Sequence, residues 1–275
     1  MIGSGFQVKF WGVRGSIPCS GRDMMKYGGN TSCIEVRCGD RLIILDGGTG
    51  MRELGQSLGD GKLEADVLLT HTHYDHILGL PFFAPFYSPQ NKFRMWAGRG
   101  GHGKSLEQIM QTLMQSPLFP IPVEAFGSEM TYMDFDIGDS LDLGDGIRIR
   151  TTRLVHPNDA TGYRIEFGGR AIAYVTDTEH TPGSLDQNIV DLVQGADALI
   201  YDSTYCDSEY PQHRGWGHST WEEGVRICQE ADVGKFYIFH HDPAHNDTFM
   251  DAVAIKASKM FSGAQVAHEG LTVDF

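Results

Sequence analysis

Apolar residues recur along the chain with two periods, which predict strands and helices respectively. Short alternating or continuous apolar runs, typical of strands, occupy 6–10, 33–38, 41–45, 65–70, 140–143, 147–154, 163–167, 170–176, 198–202, 235–239 and parts of 266–275. Apolar spacing of three and four residues predicts helices at about 51–58, 105–115, 184–194, 220–230 and 246–260. Strands are therefore followed by helices in both halves of the chain.

The densest group of metal-ligand side chains follows the predicted strand 65–70. It has the pattern His71-x-His73-x-Asp75-His76, with three imidazoles and one carboxylate. Imidazole is a common zinc ligand, and carboxylates complete such sites. Open α/β sheets also place their sites at strand ends. We therefore interpret this strand-to-turn loop as a metal site, in preference to a surface loop that is histidine-rich by chance. Gly79 and Pro81 predict a turn before any helix.

Residues 81–135 form a second distinctive segment. Its predicted helix, which Ser105 caps, has an apolar face suited to packing on the core. Its aromatic residues allow another interpretation, a lid-like insertion that stacks a nucleobase beside the metals. The residues that would make these contacts are Phe82, Phe83, Phe86 and Phe119. Aromatic side chains are also ordinary in a core, so the sequence leaves both interpretations open.

Composition and charge narrow the class of protein. Hydrophobic residues make up 41% of the 275 residues, which suits a globular chain with a substantial core. A net charge of −14 disfavours large nucleic acids as partners. The apolar runs are too short to cross a membrane, and no secretory signal is visible. The five cysteines show no Cys-x-x-Cys spacing. We expect a cytoplasmic protein with reduced thiols and no membrane partner.

The His71-x-His73-x-Asp75-His76 pattern resembles the signature of the metallo-β-lactamase superfamily, a family of mostly dinuclear metallohydrolases. Residues 11–18 and 27–32 are similar to the start of its phosphodiesterase branch. That branch includes ribonuclease Z, the cyclic phosphodiesterase of the phosphonate pathway and stand-alone bacterial cyclic-nucleotide phosphodiesterases; residues 80–87 are similar to the last group. The resemblance covers nearly the whole chain. It implies an α/β fold, an αββα sandwich in which two mostly antiparallel sheets lie between helices. We expect one domain over 1–275.

Later strand ends carry further ligands in the order that this resemblance implies. His156 follows strand 147–154 and matches the third histidine of the family, and Asp177 follows 170–176 and matches its bridging aspartate. The last ligand stands after 235–239, where we prefer His240 and His241 is the rival. The implied sets are His71, His73 and His156 for one metal, Asp75, His76 and His240 for the second, and Asp177 as the bridge. Two divalent ions are expected; Zn²⁺ suits the histidines, and Mn²⁺ or Fe²⁺ accepts the same ligands.

His218 lies in a His-Ser-Thr stretch that resembles a motif of ribonuclease Z relatives, in which the histidine serves near the scissile phosphate. The alternative is a histidine of a helix-capping loop without a chemical role. The resemblance implies a metal-bridging hydroxide that attacks phosphorus, oriented by Asp75. His218 would stabilise the phosphoryl oxygens or protonate the leaving alkoxide. Glu179 and His180, close to Asp177, are either supporting groups or exposed residues.

The polar loop before strand 33–38 is a further candidate for substrate binding. Asn30, Thr31 and Ser32 offer amides and hydroxyls that suit a phosphate oxygen. On this chemistry alone an irregular connection is the better interpretation, and the similarity of 27–32 to the phosphodiesterase branch supports the substrate role.

The expected substrate is a small phosphodiester, 3′,5′-cyclic AMP or GMP. Processing of the tRNA 3′ end, or hydrolysis of another cyclic phosphate, is the alternative. Ribonuclease Z of the common type carries a long basic arm between the third histidine and the bridging aspartate, whereas His156 and Asp177 are only 21 positions apart. A β-lactamase is disfavoured by the His-Ser-Thr element, and a non-catalytic metal-binding regulator is a remote alternative. The sequence does not decide between a monomer and a homodimer.

Overall fold

The computed structural model describes residues 5–101 and 103–275. In these parts of the chain the strands form two sheets of seven strands each. The strands are β1 (Phe6–Gly12), β2 (Cys33–Cys38), β3 (Arg41–Leu45), β4 (Glu64–Leu69), β5 (Lys92–Gly98), β6 (Glu129–Phe135), β7 (Ser140–Gly144), β8 (Ile147–Leu154), β9 (Ala160–Phe167), β10 (Arg170–Val175), β11 (Ala198–Asp202), β12 (Lys235–Phe239), β13 (Ala264–Val266) and β14 (Thr272–Asp274). The α-helices are α1 (Met51–Ser57), α2 (Tyr74–Ile77), α3 (Leu106–Leu113), α4 (Gln187–Val193), α5 (Trp221–Glu230) and α6 (Asp247–Met260).

Each sheet is mixed, so the expectation of mostly antiparallel sheets is wrong. The strand orders are β14-β1-β2-β3-β4-β5-β6 and β13-β12-β11-β10-β9-β8-β7. Pairing is antiparallel from β14 through β1 and β2 to β3 and from β7 to β10. Pairing is parallel from β3 to β6 and from β10 to β13. Parallel neighbours need a crossover connection. Each crossover here contains one of the helices α1 to α6, so the predicted strand–helix alternation was the signal for parallel pairing.

The helices and sheets stack in four layers, in the order helix, sheet, sheet, helix, and three apolar layers fill the spaces between them. Phe10 and Leu45 of the first sheet share the central layer with Ile165 and Ile200 of the second sheet. The second sheet packs on α4, α5 and α6, and the first sheet packs on α1 and α3. The predicted αββα sandwich is therefore confirmed.

Residues 81–135 belong to the first sheet, which corrects the interpretation of the segment as an insertion. It supplies β5, which pairs with β4, and β6, which forms the edge of the sheet. β5 was not predicted from the sequence because both of its faces are largely buried, which removes the alternation of polar and apolar residues. β6 was not predicted because that strand is polar, and most of its residues remain partly exposed. The predicted helix is confirmed as α3, and Ser105 caps it in a reciprocal pair with Gln108.

The five cysteines are free thiols, and four of them are buried. Cys33 and Cys38 lie in the apolar layers, away from the predicted metal ligands. Within residues 5–101 and 103–275, no helix combines the length and the apolar character that a membrane crossing requires.

Candidate metal centre

The predicted ligands lie where the carboxyl ends of parallel strands meet. Four of them follow strands closely: His71 after β4, His156 after β8, Asp177 after β10 and His240 after β12. Asp75 and His76 lie on α2, a one-turn helix that begins at Tyr74. A turn was predicted there; the helix starts inside the motif and turns Asp75 and His76 into the protein, where both are buried.

One group of ligands consists of three imidazoles, those of His71, His73 and His156. The Nδ1 atom of His73 lies 3.1 Å from Nε2 of His156. Asp177 faces this group with Oδ1, which lies 3.6 Å from Nε2 of His156 and 4.0 Å from Nε2 of His71. Three nitrogens and one oxygen thus surround one small space, as a tetrahedral metal site requires.

The second group consists of Asp75, His76, Asp177 and His240, all of them buried. Oδ2 of Asp177 lies 3.1 Å from Nε2 of His76 and 3.2 Å from Nε2 of His240. Oδ2 of Asp75 lies 3.2 Å from each of the same two nitrogens. Asp177 therefore presents one carboxylate oxygen to each group.

Polar atoms behind the imidazoles orient them. Nδ1 of His76 donates to Asp46 over 2.8 Å, and Nδ1 of His156 donates to the carbonyl oxygen of Gly217 over 2.7 Å. The Thr204 hydroxyl lies 3.1 Å from Nδ1 of His240. With Nδ1 engaged, the Nε2 lone pair of each ring faces the centre. Asp46 was not predicted from the sequence; its signal is a carboxylate directly after β3.

The unpartnered nitrogens test whether these residues fit a metal ion. Nε2 of His71 and Nε2 of His76 are buried, and neither has hydrogen-bond geometry toward any group that the structure describes, although Nε2 of His76 lies within 3.2 Å of carboxylate oxygens of Asp75 and Asp177. Buried polar atoms without partners are rare in proteins, because their desolvation is costly. Two such atoms in the two ligand groups, both facing the carboxylate of Asp177, fit a bound cation.

Burial prepares the three-imidazole group for a metal. Burial lowers the pKa of His71 well below its ordinary value, and the neighbouring histidines lower it further. Burial also lowers the pKa of His73 and of His156. These rings are neutral near pH 7, which is the form that binds metal ions.

The second group of ligands, which contains the carboxylates of Asp75 and Asp177, instead favours a positive charge. Burial acts against charge at His76, but Asp75, Asp177 and Asp46 outweigh it and raise the pKa of His76 well above its ordinary value. Burial acts against charge at Asp177 as well, and the charges of His240 and His76 nevertheless hold the pKa of its carboxyl well below the usual range. Two ionised carboxylates therefore face this space, and a divalent cation would balance them.

His218 lies beside the two groups and is paired with a carboxylate. Its Nδ1 atom lies 3.0 Å from Oδ2 of Asp202 and 3.7 Å from Oδ1 of Asp177. Burial opposes charge on the ring, but the charge and hydrogen bond of Asp202 raise the pKa of His218 to about 9. Asp202 was not predicted as a site residue. Its signal is the same as that of Asp177, a carboxylate at the end of an apolar strand.

The structure distinguishes His240 from its rival. Nε2 of His240 faces Asp75 and Asp177, whereas Nε2 of His241 donates to the carbonyl oxygen of Ala267 over 2.9 Å. Burial lowers the pKa of His241 to about 3, so its ring is neutral within the core. β12 ends at Phe239, and His240 has a left-handed backbone with a φ of +62°, so the chain turns between the strand and His241 and the two rings face different surroundings.

Glu179 supports the site. Its two carboxylate oxygens accept hydrogen bonds from the backbone amides of Gly215 and Gly217 over 2.7 and 2.8 Å. The Gly217 carbonyl in turn accepts from His156. His180, the other residue left open by the sequence, lies 2.7 Å from the hydroxyl of Ser219 and belongs to the packing below the loop.

Thr31 and Ser32 are buried structural residues, which corrects their assignment to substrate, whereas Asn30 is half-buried and its assignment stays a prediction. The side chain of Asn30 donates to Glu269 and accepts from Thr49, and the Thr31 hydroxyl accepts from the amide of Thr49. Thr31 and Ser32 are fully buried. The side chains of Asn30 and Thr31 thus hold the loop itself, because buried polar groups require partners.

The predicted aromatic contacts divide into two pairs. Phe83 and Phe86 are fully buried in the layer beneath α1 and α3, so a substrate cannot reach them and their assignment is wrong. Phe82 is 57% exposed, and its ring lies edge-on to that of Phe119 with 5.7 Å between centroids.

The chain matches a known protein family. Residues 41–241 match the Beta-lactamase superfamily domain, and this span contains every residue of both ligand groups. Among curated proteins, Ribonuclease Z of Thermoplasma acidophilum is 25% identical over 90% of this chain and 90% of its own length. Ribonuclease Z of a Bradyrhizobium strain is 24% identical over 96% and 98%.

Solved structures share the fold. The metallo-β-lactamase fold protein YhfI of Bacillus subtilis has a TM-score of 0.73 at 20% identity and covers 99% of this chain and 100% of its own. The short form of human tRNase Z has a TM-score of 0.68 at 17% identity, covering 97% and 98%. Zn²⁺-bound PqqB of Methylobacterium extorquens has a TM-score of 0.69 at 17% identity, covering 98% and 100%. One structure of this fold therefore holds zinc, and the chain described here has histidines and aspartates positioned for metal binding.

Proposed function

Since this chain belongs to the beta-lactamase superfamily, we propose that it is a metal-dependent hydrolase of phosphodiesters. The observation that carries the proposal is the position of Asp177, whose two oxygens face two separate groups of ligands. A site built from N and O ligands in this way suits a pair of divalent cations. Non-catalytic metal storage would not require the His218–Asp202 pair beside the ligands.

The proposed cofactors are two divalent ions, with Zn²⁺ favoured by the histidines. The residues that would hold them are His71, His73 and His156 in one group and Asp75, His76 and His240 in the other; Asp177 belongs to the second group and faces the first with Oδ1. Bound there, divalent ions would lower the pKa of water and offset negative charge on the phosphoryl oxygens.

The side chains around the ligands supply the proton transfer. With a pKa of about 9, His218 is protonated at neutral pH, and its bond to Asp202 through Nδ1 leaves Nε2–H as the donor. The attacking water gives up one proton to solvent, and as its oxygen bonds to phosphorus and the ester bond breaks, Nε2 gives its proton to the leaving alkoxide. The carboxylate of Asp75, fixed by the Ser16 amide over 2.8 Å, would orient the attacking water.

The comparisons favour a ribonucleic acid substrate over the cyclic nucleotide expected from the sequence. Both relatives described above are named Ribonuclease Z and align with nearly the whole chain. We therefore place cleavage at the 3′ end of precursor tRNA first. The net charge of −14 favours a second candidate, a small cyclic phosphodiester, because a strongly acidic surface repels a long polyanion.

One set of assays tests the proposal. The metal-loaded protein is incubated with precursor tRNA carrying a 3′ trailer and, separately, with 3′,5′-cyclic AMP and GMP. We expect cleavage of at least one substrate class, abolished by a chelator and by Asp177→Asn. Asp251→Asn, a surface carboxylate paired with Lys26, is the control and should retain activity. Metal-loaded protein that cleaves neither these substrates nor activated phosphodiesters would refute the proposal.

A further inference from the structure

A groove runs from the candidate metal centre along one side of α3. Its inner part is a cavity of about 290 Å³ whose walls include His71 and His73. Its outer part is a cleft of about 510 Å³. Thr72, Lys104 and Ile109 line both parts. None of the described ligand residues lines the outer cleft itself; the cleft adjoins the metal centre through the inner cavity and through Thr72, which stands between two ligand histidines.

The walls of the outer cleft are apolar and aromatic. Phe82 and Phe119 meet edge-to-face, with an interplanar angle of 83°. Phe82 is 57% exposed and Tyr74, which follows His73, is 67% exposed. Large rings that are left exposed together in a concave site mark a binding surface more often than a packing defect.

Charge also separates this cleft from the rest of the protein. The described residues that line it include Lys104 but no aspartate or glutamate, in a chain with 36 acidic residues. A phosphodiester brought to the ligand histidines would thus place its neighbouring group against uncharged rings. Thr72 and Thr112 line the same walls; the Thr112 hydroxyl donates to the carbonyl oxygen of Gln108 and keeps its capacity to accept a hydrogen bond from a heterocycle.

We propose that the outer cleft binds a nucleobase of the diester whose phosphorus lies at the metal centre, with Phe82 and Phe119 as its stacking surface. The inference rests on the proposed function, because it takes the reacting group to be a phosphodiester. Stacking on an aromatic ring tolerates any base, since every base has a π-face. The cleft would therefore select nucleotides over other diesters without selecting among the bases.

Two activated diesters with the same leaving group isolate the role of the base: thymidine 5′-(p-nitrophenyl) phosphate and methyl p-nitrophenyl phosphate. For the metal-loaded wild type we expect the higher kcat/KM with the nucleoside diester. Phe82→Ala should lower the ratio of the two kcat/KM values by about tenfold, in line with the loss of one base–ring contact. Phe82→Tyr keeps the ring and should restore the ratio.

The matched control is Ile255→Ala, which removes another large apolar side chain, 59% exposed and located on α6. It should leave the ratio unchanged. A ratio that Phe82→Ala does not lower, or that Ile255→Ala lowers equally, would overturn the nucleobase site while hydrolysis itself still supports the phosphodiesterase.

Equilibrium binding measures the affinity of the outer cleft for a nucleobase without turnover. Calorimetry with thymidine 5′-monophosphate and with inorganic phosphate should show tighter binding of the nucleotide. Phe82→Ala should lower the ratio of the two affinities about tenfold. If neither diester is hydrolysed but this difference is seen, the phosphodiesterase fails and the base site stands. Equal affinity for the two ligands overturns the base site.

Discussion

The Nδ1 atom of His156 lies 2.7 Å from the carbonyl oxygen of Gly217. This bond connects a ligand of the first group with the loop that presents His218, the next residue along the chain. Glu179 accepts from the amides of Gly215 and Gly217 and so fixes the loop to the strand end that carries Asp177. Metal binding and proton donation therefore depend on the same short loop.

Gly217→Ala should reduce metal binding. A Cβ atom at this position would lie 2.3 Å from Nδ1 of His156, and the backbone φ of +83° is itself strained for alanine. The ring of His156 must move, and loss of an orienting contact typically costs about 10- to 100-fold in metal affinity. Competition with a fluorescent chelator measures the affinity.

Gly215→Ala is the matched control. Gly215 has a similar φ of +86°, but a Cβ atom there meets no described atom within 4 Å outside its chain neighbours. Gly215→Ala therefore introduces the backbone strain without a clash with His156. Equal metal affinities for the two variants would show that metal binding does not depend on the space that Gly217 leaves for the ring of His156.

Glu179→Ala should lower kcat more than it lowers metal content. The substitution leaves two backbone amides of the loop without their carboxylate, so His218 and the Gly217 carbonyl lose their fixed position. We expect kcat to fall about tenfold while most of the metal remains. The readouts are steady-state kinetics and metal analysis of the same samples. An undiminished kcat would mean that the loop is held by its other contacts.

Asp202→Asn should move the basic limb of the pH–rate profile to lower pH. Asp202 is the main group that raises the pKa of His218 to about 9 against the effect of burial. An acid catalyst must be protonated, so activity falls as pH rises through its pKa. Without the charge of Asp202 that fall begins at lower pH.

His218→Ala should retain metal and lose turnover about 100-fold or more. A profile that Asp202→Asn leaves in place would exclude His218 as the acid.

His241→Gln should flatten the acid side of the stability profile. Burial holds the pKa of His241 at about 3, below its ordinary 6.5, so the unfolded chain takes up a proton that the folded chain refuses. The stability from the neutral ring is complete above about pH 6.5 and is lost as pH falls toward 3, by at most about 5 kcal/mol. Urea unfolding at several pH values, in chelator, measures the difference.

Glutamine is chosen because its amide can still donate to the Ala267 carbonyl. His268→Gln, at a half-buried histidine, is the control. If the wild type and His241→Gln lose stability in parallel between pH 6.5 and 4, then His241 is not the group that resists protonation.

The four ligands of the first motif could be identified from local pattern, and the later ligands from their order along the chain, which resembles that of the family. Asp177 and His240 follow apolar strands, and the carboxyl ends of parallel strands meet at one edge regardless of the rest of the fold. The short spacing in His71-x-His73-x-Asp75-His76 keeps those four side chains near one another. Strand bounds such as Cys33–Cys38 and Lys235–Phe239 also agree with the pattern, because burial on a strand repeats along the chain.

The direction in which a side chain points required the folded chain. Phe82 and Phe83 are neighbours of the same type, yet one lines the cleft and the other is core. His240 and His241 differ in the same way. The pairing of Asp202 with His218 joins residues from separate elements. Local sequence records residue type and period, whereas the contacts of a side chain depend on packing between segments distant in the chain, and for this protein that packing selected among chemically identical candidates.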